Sequence, residues 1–428
     1  MLAVAGFITL FLLIILLLSK KVSIYVALTM LPFVAAVVCG FSVKEIGGFI
    51  AKGLTTIAPT GIMLMFAILF FGTMFQLGMF TPIINGILKI GGEDPVKLCA
   101  GTALLAFLTH LDGSAASTYI ITVSALMPIY KRLNMRITTL ATIVGLSAGS
   151  MNIVPWGGPT LRASINLGID VMDLYAPVIP AQAVGILTVF CISIFLGFRE
   201  KKRLLALQSS EGSEVVESTY EIPEPKSTTL LICNWIISLL AILALVFQWF
   251  PTSAVFLVFF PIALWVNFPK PSMQAEQIVK QAAAAIPTTV IIFCAGVFSG
   301  ILKESGMIEA MTLTLTQMVP TAMTAAFIPI VGIISVPMGI FIDVDSMYYG
   351  GLPVLNGLGE SLGIPAVAVS RAMMLSTIST SVLPLVGSTW VLMGVTGLDL
   401  GEHQKKTFLW IVFVDIIMLC VAKLVGAI

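Results

Sequence analysis

Ten apolar runs along this chain are each about long enough to cross a bilayer: 2–18, 22–41, 57–77, 137–165, 175–197, 230–249, 252–268, 286–302, 364–396 and 405–427. A helix needs about 20 apolar residues to span the hydrocarbon core. Hydrophobic residues make up 58% of the chain and charged residues only 10%, whereas a soluble domain carries about 25% charged residues. No water-soluble fold hides that much apolar surface. A soluble enzyme, a disordered protein and a nucleic-acid binder are therefore excluded. The net charge of +1 points to no polyanionic partner. The chain reads as an all-α, multi-pass membrane protein. The run 2–18 is followed by Lys20 and Lys21, so it reads as a retained first span and not a cleaved signal.

Two further apolar stretches, 98–130 and 322–358, are split by polar clusters, Asp112-Gly-Ser and Asp343-Val-Asp-Ser. A lipid-facing helix would not carry such a cluster at mid-depth. Both stretches are expected to be re-entrant hairpins that enter and leave on one side. The runs 137–165 and 364–396 are long and interrupted, and are expected to be broken helices. The polar segment 199–228 is a cytoplasmic linker between two halves, 1–198 and 229–428. With the N-terminus outside, 16 of the 22 lysines and arginines fall on the inner side. Lys44, Lys52 and Lys303 then fall in outside loops, and Arg162, Arg371 and Lys423 lie within spans. Both termini are expected outside, in the cell membrane, which is the inner membrane in a bacterium.

The halves resemble each other. At an offset of 229 residues, Ser147, Ser150, Pro155, Gly158 and Thr160 land on Ser376, Ser379, Pro384, Gly387 and Thr389. Five identities in fourteen positions exceed the one or so that chance allows for this composition. Pro59, Gly72 and Gly78 find partners in Pro287, Gly300 and Gly306 at an offset of 228, and Asp112 meets Asp343 at 231. Each half holds five spans and one hairpin. Five is odd, so the second half starts on the opposite side and the repeats are inverted, an arrangement common in secondary transporters.

The first break runs from Ser147 to Thr160. Pro155, Gly157, Gly158 and Pro159 cannot sustain a straight helix there. Unwound backbone exposes amides that attract anions and carbonyls that hold cations; Ser150, Asn152 and Thr160 add neutral ligands. Ser379, Thr380, Ser381, Ser388 and Thr389 do the same at the second break. A proline kink patched by neighbouring helices is the plainer alternative. At the hairpin tips, Asp112, Asp343 and Asp345 could bind a metal, pair with an arginine or carry a coupled proton; alternatively each merely caps a helix. Asp112, Asp345 and Asn152 are the candidate metal contacts. Arg162 and Arg371 could grip a carboxylate or form internal salt bridges. His110 could relay protons or serve the structure, and His403 is expected to be solvated in an inside loop. The six cysteines show no metal or disulfide spacing, and Walker A and HExxH patterns are absent, so no organic cofactor is expected.

Four segments carry a resemblance: HLDGSAASTYIITVSALMPIYKRL (110–133), MNIVPWGGPTLRAS (151–164), DSMYYGGLPVL (345–355) and GLDLGEHQKKT (397–407). They resemble the citrate–metal:proton symporter family (CitMHS) of the ion transporter superfamily. That resemblance implies two hairpins packed on two broken helices as a moving transport domain. It also implies a scaffold of the other spans, a homodimer and elevator-type alternating access. The implied reaction is proton-coupled uptake of citrate complexed with a divalent cation, Mg²⁺ or Ca²⁺. By position, Asp112, Gly113, Ser114, Ser117 and Thr118 would belong to the inner hairpin tip. Asn152, Pro155, Gly157, Gly158 and Arg162 would form the first broken-helix site. Asp345, Ser346, Arg371, Ser388 and Thr389 would belong to the second half. The family's tip commonly reads Asp-Gly-Asp-Gly, whereas here Ser114 replaces the second acid. The segment Ser376–Ser381 is also richer in hydroxyls than the family pattern.

A secondary symporter for citrate or a related polycarboxylate is the leading expectation. A Na⁺-coupled di- or tricarboxylate carrier of the same fold is the alternative. A channel would need a continuous polar pore. An intramembrane hydrolase built on Ser114, His110 and Asp112 lacks any nucleophile elbow.

Overall fold

The computed structural model describes residues 1–19, 21–92, 94–207, 227–316, 324–341, 344–383 and 386–428. Every element among them is helical. In chain order the first half holds α1 (Leu2–Ser19), α2 (Ile24–Val38), α3 (Val43–Gln76), α4 (Thr81–Gly91), α5 (Pro95–Thr109), α6 (Ala115–Arg132), α7 (Ile137–Met151), α8 (Gly158–Leu167), α9 (Val171–Tyr175) and α10 (Ile179–Leu207). The second half holds α11 (Thr228–Val246), α12 (Thr252–Asn267), α13 (Pro271–Glu304), α14 (Met307–Thr316), α15 (Thr324–Phe341), α16 (Val344–Ser346), α17 (Leu352–Ser361), α18 (Ala366–Leu375), α19 (Gly387–Thr396) and α20 (Leu400–Leu424). Five helical stretches among the described residues are long and apolar enough to cross a membrane: 43–76, 171–206, 228–246, 271–304 and 400–424.

Local chemistry sets the helix starts. Ser42 and Glu45 form a reciprocal capping box at α3. The Asp94 carboxylate accepts from the Val96 N–H at α5, where Pro95 adds no unpaired donor. Asp399 accepts from the Gly401 and Glu402 amides at α20. Each such cap contributes about 1 kcal/mol.

Several expected boundaries move. The runs 57–77 and 286–302 are only the C-terminal parts of α3 and α13, which are 34 residues long. At 1.5 Å per residue each is about 51 Å long, well beyond the hydrocarbon core. Hydropathy falls below a span's level over their first turns, yet the helices continue because the two run antiparallel and each one's first turns pack on the other's end: Gly53 meets Gly296 and Gly300, and Gln277 bonds Thr73 and Gln76. Lys52 and Lys303 therefore sit on helices and not in loops, and Lys52 pairs with Glu304 at 2.5 Å. The linker expected over 199–228 begins as helix, since α10 runs on to Leu207; residues 208–226 lie outside the described ones. Short helices α4 and α14 occupy stretches that hydropathy left unassigned.

Helices α5 and α6 form an antiparallel hairpin. It is laced by Thr102 to Tyr130 at 2.9 Å and Thr109 to Thr122 at 3.2 Å. Against it lies α7, buried from Thr138 to Met151. Its Gly145, Ser147, Ala148, Gly149 and Ser150 let neighbouring backbones approach closely. Helix α7 stops at Met151 and α8 starts at Gly158, while α18 stops at Leu375 and α19 starts at Gly387, with a 3-10 segment over Thr377–Val382 between.

Candidate functional site

Both breaks, the tip of the α5–α6 hairpin and the segment 344–349 line one cavity of about 880 Å³. The first hairpin contributes Asp112, Gly113, Ser114 and Ser117. From the first break come Asn152, Trp156, Gly158 and Arg162, and from α16 and the turn after it Val344, Asp345 and Tyr349. Val386, Gly387 and Ser388 enter from the second break. The opposite wall is made by α3 (Leu64, Ile68, Gly72, Phe75, Gln76) and α13 (Gln281, Ala284, Thr288, Ile291, Ile292).

The tip of the first hairpin is held by backbone geometry. Gly113 has φ +75°, a left-handed conformation that a side chain resists, and a Cβ there would stand 3.1 Å from Trp156 Cδ1. Trp156 Nε1 donates to the Leu111 carbonyl at 2.8 Å, while its ring stacks on Phe71 and meets Phe256 edge-on, each at 5.2 Å. Tip, break and helices α3 and α12 thus meet on one indole. At the break itself, Gly157 is obligatory because a Cβ would collide with the Asn152 carbonyl oxygen. Asp112 accepts from the Ser114 amide at 2.8 Å, and Ser114 Oγ in turn caps α6 by accepting from the Ser117 amide at 3.3 Å. The serine that replaces the family's second acid therefore holds the tip locally.

Two helix ends face the cavity open. Neither α8 nor α19 has a side-chain cap at its N-terminus, and their first residues Gly158, Gly387 and Ser388 line the cavity. Uncapped amides and the positive end of the helix dipole make such termini anion sites. Beside them Arg162 Nε and Nη2 both reach Asp345 Oδ1 at 2.6 Å. This pair ties α8 to α16.

Other expected site residues are placed elsewhere. Arg371 does not reach the cavity; it donates to the carbonyls of Leu174, Asp173 and Ala427 at 3.1, 2.8 and 2.9 Å. Those donors make it a clamp between α9 and the residues after α20. Thr118 is buried against His110 Nδ1 at 2.9 Å, and Thr160 donates to the Ile153 carbonyl at 2.7 Å. Ser379 and Ser381 are buried in the 3-10 segment that faces α7 and α20, and Thr389 is buried as the third residue of α19. His403 is not solvated: it lies on α20, fully buried, with Nδ1 3.3 Å from Thr407 Oγ1. Asp343 lies outside the described residues, and Ser346 ends the short helix α16.

Cavity residues that the sequence reading passed over include Gln281 and Tyr349. Gln281 follows Gln277 at helical spacing, a polar stripe that a span starting at 286 cuts away. A third residue, Asp415, sits in the last apolar run, where any acid is itself a signal.

The CitMHS citrate-transporter family model matches residues 7–400. The chain belongs to the CitMHS family. A citrate transporter of Bacillus subtilis (strain 168) is 38% identical over 428 residues, all of both chains. A second CitMHS-like relative from that organism, the Mg(2+)/citrate complex secondary transporter, is 35% identical over all of this chain and 99% of its own. In fold, this CitMHS chain is similar to the solved YdaH transporter of Alcanivorax borkumensis. The TM-score is 0.61 at 14% identity, over 87% of this chain and 86% of that one. Like its family, the chain is a multi-pass membrane transporter and not an enzyme.

Proposed function

We propose that this chain is a secondary symporter that imports citrate, complexed with Mg²⁺ or Ca²⁺, together with protons. The observation that carries the reading is the pair of uncapped helix ends, α8 and α19, opening on one cavity beside Asp112 and the Arg162–Asp345 pair. Citrate's carboxylates would take the exposed amides at Gly158, Gly387 and Ser388 and the hydroxyls of Ser117 and Ser388. Among the described residues no three or more His, Cys, Asp or Glu side chains group to hold a metal. The cation would thus travel mostly within citrate's own oxygens, with Asp112, Asp345 and Asn152 as further contacts. Proton coupling is assigned to Asp112 and the second tip's acids. The similarity of a Mg(2+)/citrate complex transporter across the whole chain supports the cargo.

The same reading includes inverted repeats and an elevator movement. In its support, α3 and α13, α8 and α19, and α10 and α20 recur in the same order at close to the offset found in the sequence. Hairpins and breaks make one side of the cavity, and the long helices the other. A homodimer is expected to anchor the scaffold.

Radiolabelled citrate uptake into proteoliposomes tests this. An inward proton gradient is imposed without Na⁺, and Mg²⁺, Ca²⁺ or a chelator is added. Uptake that needs both cation and gradient is the expected result, and D112N should abolish or shift its pH dependence. Sodium coupling is the second reading, favoured by Ser147 and Ser381, whose hydroxyls are buried beside the breaks without a hydrogen-bond partner. Uptake that appears only on adding Na⁺, and keeps that requirement in D112N, replaces the proton reading with the sodium one.

A further inference from the structure

Asp415 lies near the middle of α20, in the apolar run 405–427. It is 2% exposed, and among the described residues neither carboxylate oxygen has a hydrogen-bond partner. The residues around it separate two faces. Leu409, Phe413 and Ile416 are exposed on the outer one, while Thr407, Ile411, Val414, Asp415 and Met418 are buried on the inner. Asp415 therefore points into protein and not towards lipid. It does not line the large cavity.

Among the described residues, no charged side chain is placed against it. The elements packed on α20 are α7, α10, α15, α18 and the segment 377–382. No residue of α7, α15 or 377–382 is ionisable. On α18 the one ionisable group is Arg371, which is committed to three backbone carbonyls. On α10, Gly185 lies by Met418 and Phe195 by Trp410, so the stretch 185–195 flanks Asp415. Cys191 within that stretch is exposed, and Arg199, Glu200, Lys201, Lys202 and Arg203 lie past Phe195 towards the start of α20. On α20 itself, Glu402, His403, Lys405 and Lys406 sit at least nine residues before Asp415, while Cys420 and Lys423 follow it. An ion at mid-depth without a partner is costly, and such residues mark proton or ion pathways.

We propose that Asp415 is a proton-carrying site separate from the substrate cavity. The inference rests on the proton-coupled reading above. A proton joins the carboxyl from one side of the membrane and leaves it to the other, with no change in any substrate bond. Helix α7 and the segment 377–382, which adjoin the two breaks, pack directly on α20, so a movement of the site changes the surroundings of Asp415. His403 and Thr407 lie on the same buried face nearer the start of the helix, a polar approach from that end.

The test compares wild type and D415N in proteoliposomes. The amide copies the shape of the neutral acid but cannot exchange the proton. Citrate counterflow, which needs no net proton movement, should persist in D415N, while accumulation driven by a pH gradient is lost. A D415N that accumulates citrate with the wild-type gradient dependence overturns the site alone. Wild-type uptake indifferent to the gradient overturns the proton-coupled reading, and the site with it. Should D415N fail to reach the membrane, carbodiimide treatment and mass mapping of the wild-type protein decides. An adduct on Asp415 that fades as the pH rises is expected; no adduct at any pH overturns the proposal.

Discussion

Arg162 and Arg371 both lie on short helices beside a break, α8 and α18, but their guanidinium groups are used differently. Arg162 spends Nε and Nη2 on Asp345 at the edge of the cavity, whereas Arg371 spends three nitrogens on backbone carbonyls. Lysine cannot reproduce either fork. Replacing Arg162 with Lys should lower citrate uptake about tenfold or more, the equivalent of about 1.4 kcal/mol, with little change in melting temperature. Replacing Arg371 with Lys leaves carbonyls short of donors, at roughly 1–3 kcal/mol. It should lower the melting temperature while the citrate affinity of the folded protein stays close to wild type. Thermal unfolding in detergent and equilibrium binding measure the two effects separately. Equal affinity losses in both variants would refute the division of roles.

At the scale of elements, the site is made of helix ends. A continuous helix consumes its own amides, so only an interruption presents them to a ligand. The proline and glycine cluster at 155–159 makes the first interruption, and Trp156 locks it to the hairpin tip. Gly113→Ala should cost about 1–2 kcal/mol for the left-handed conformation, and it pushes on the indole besides. Slower citrate uptake with near-normal membrane insertion is expected for G113A. Trp156→Phe, which keeps the ring but loses the bond to Leu111, should fall between G113A and wild type or match G113A. Uptake assays beside quantified protein check both, and wild-type rates in the two variants would show that the tip needs no such locking.

For the whole molecule, the cavity lies between two unlike walls, one of hairpins and half-helices and one of the long helices α3 and α13. The elevator proposed above would carry the first wall past the second. In a background with the six native cysteines replaced, a cysteine at Ser117 should react with membrane-impermeant reagents from both sides of the bilayer during citrate exchange. Reaction from one side only would refute that movement. The chain's length of apolar runs, its paired Pro and Gly breaks at 155–159 and 384–387, and the acidic tip at Asp112 were all legible in the sequence, because span, break and intramembrane charge are set by a residue and its near neighbours. The ends of α3, α10 and α13 were not, since packing keeps polar turns helical beyond the apolar run. Nor was the division of hydroxyls: Ser388 faces the cavity while Ser379 and Ser381 are buried against other helices. Local pattern determined that this chain crosses a membrane and where its helices break. Tertiary structure alone decided which side chains share a site, because a contact such as Arg162 with Asp345 joins residues 183 positions apart, and nothing in the sequence near either one records the other.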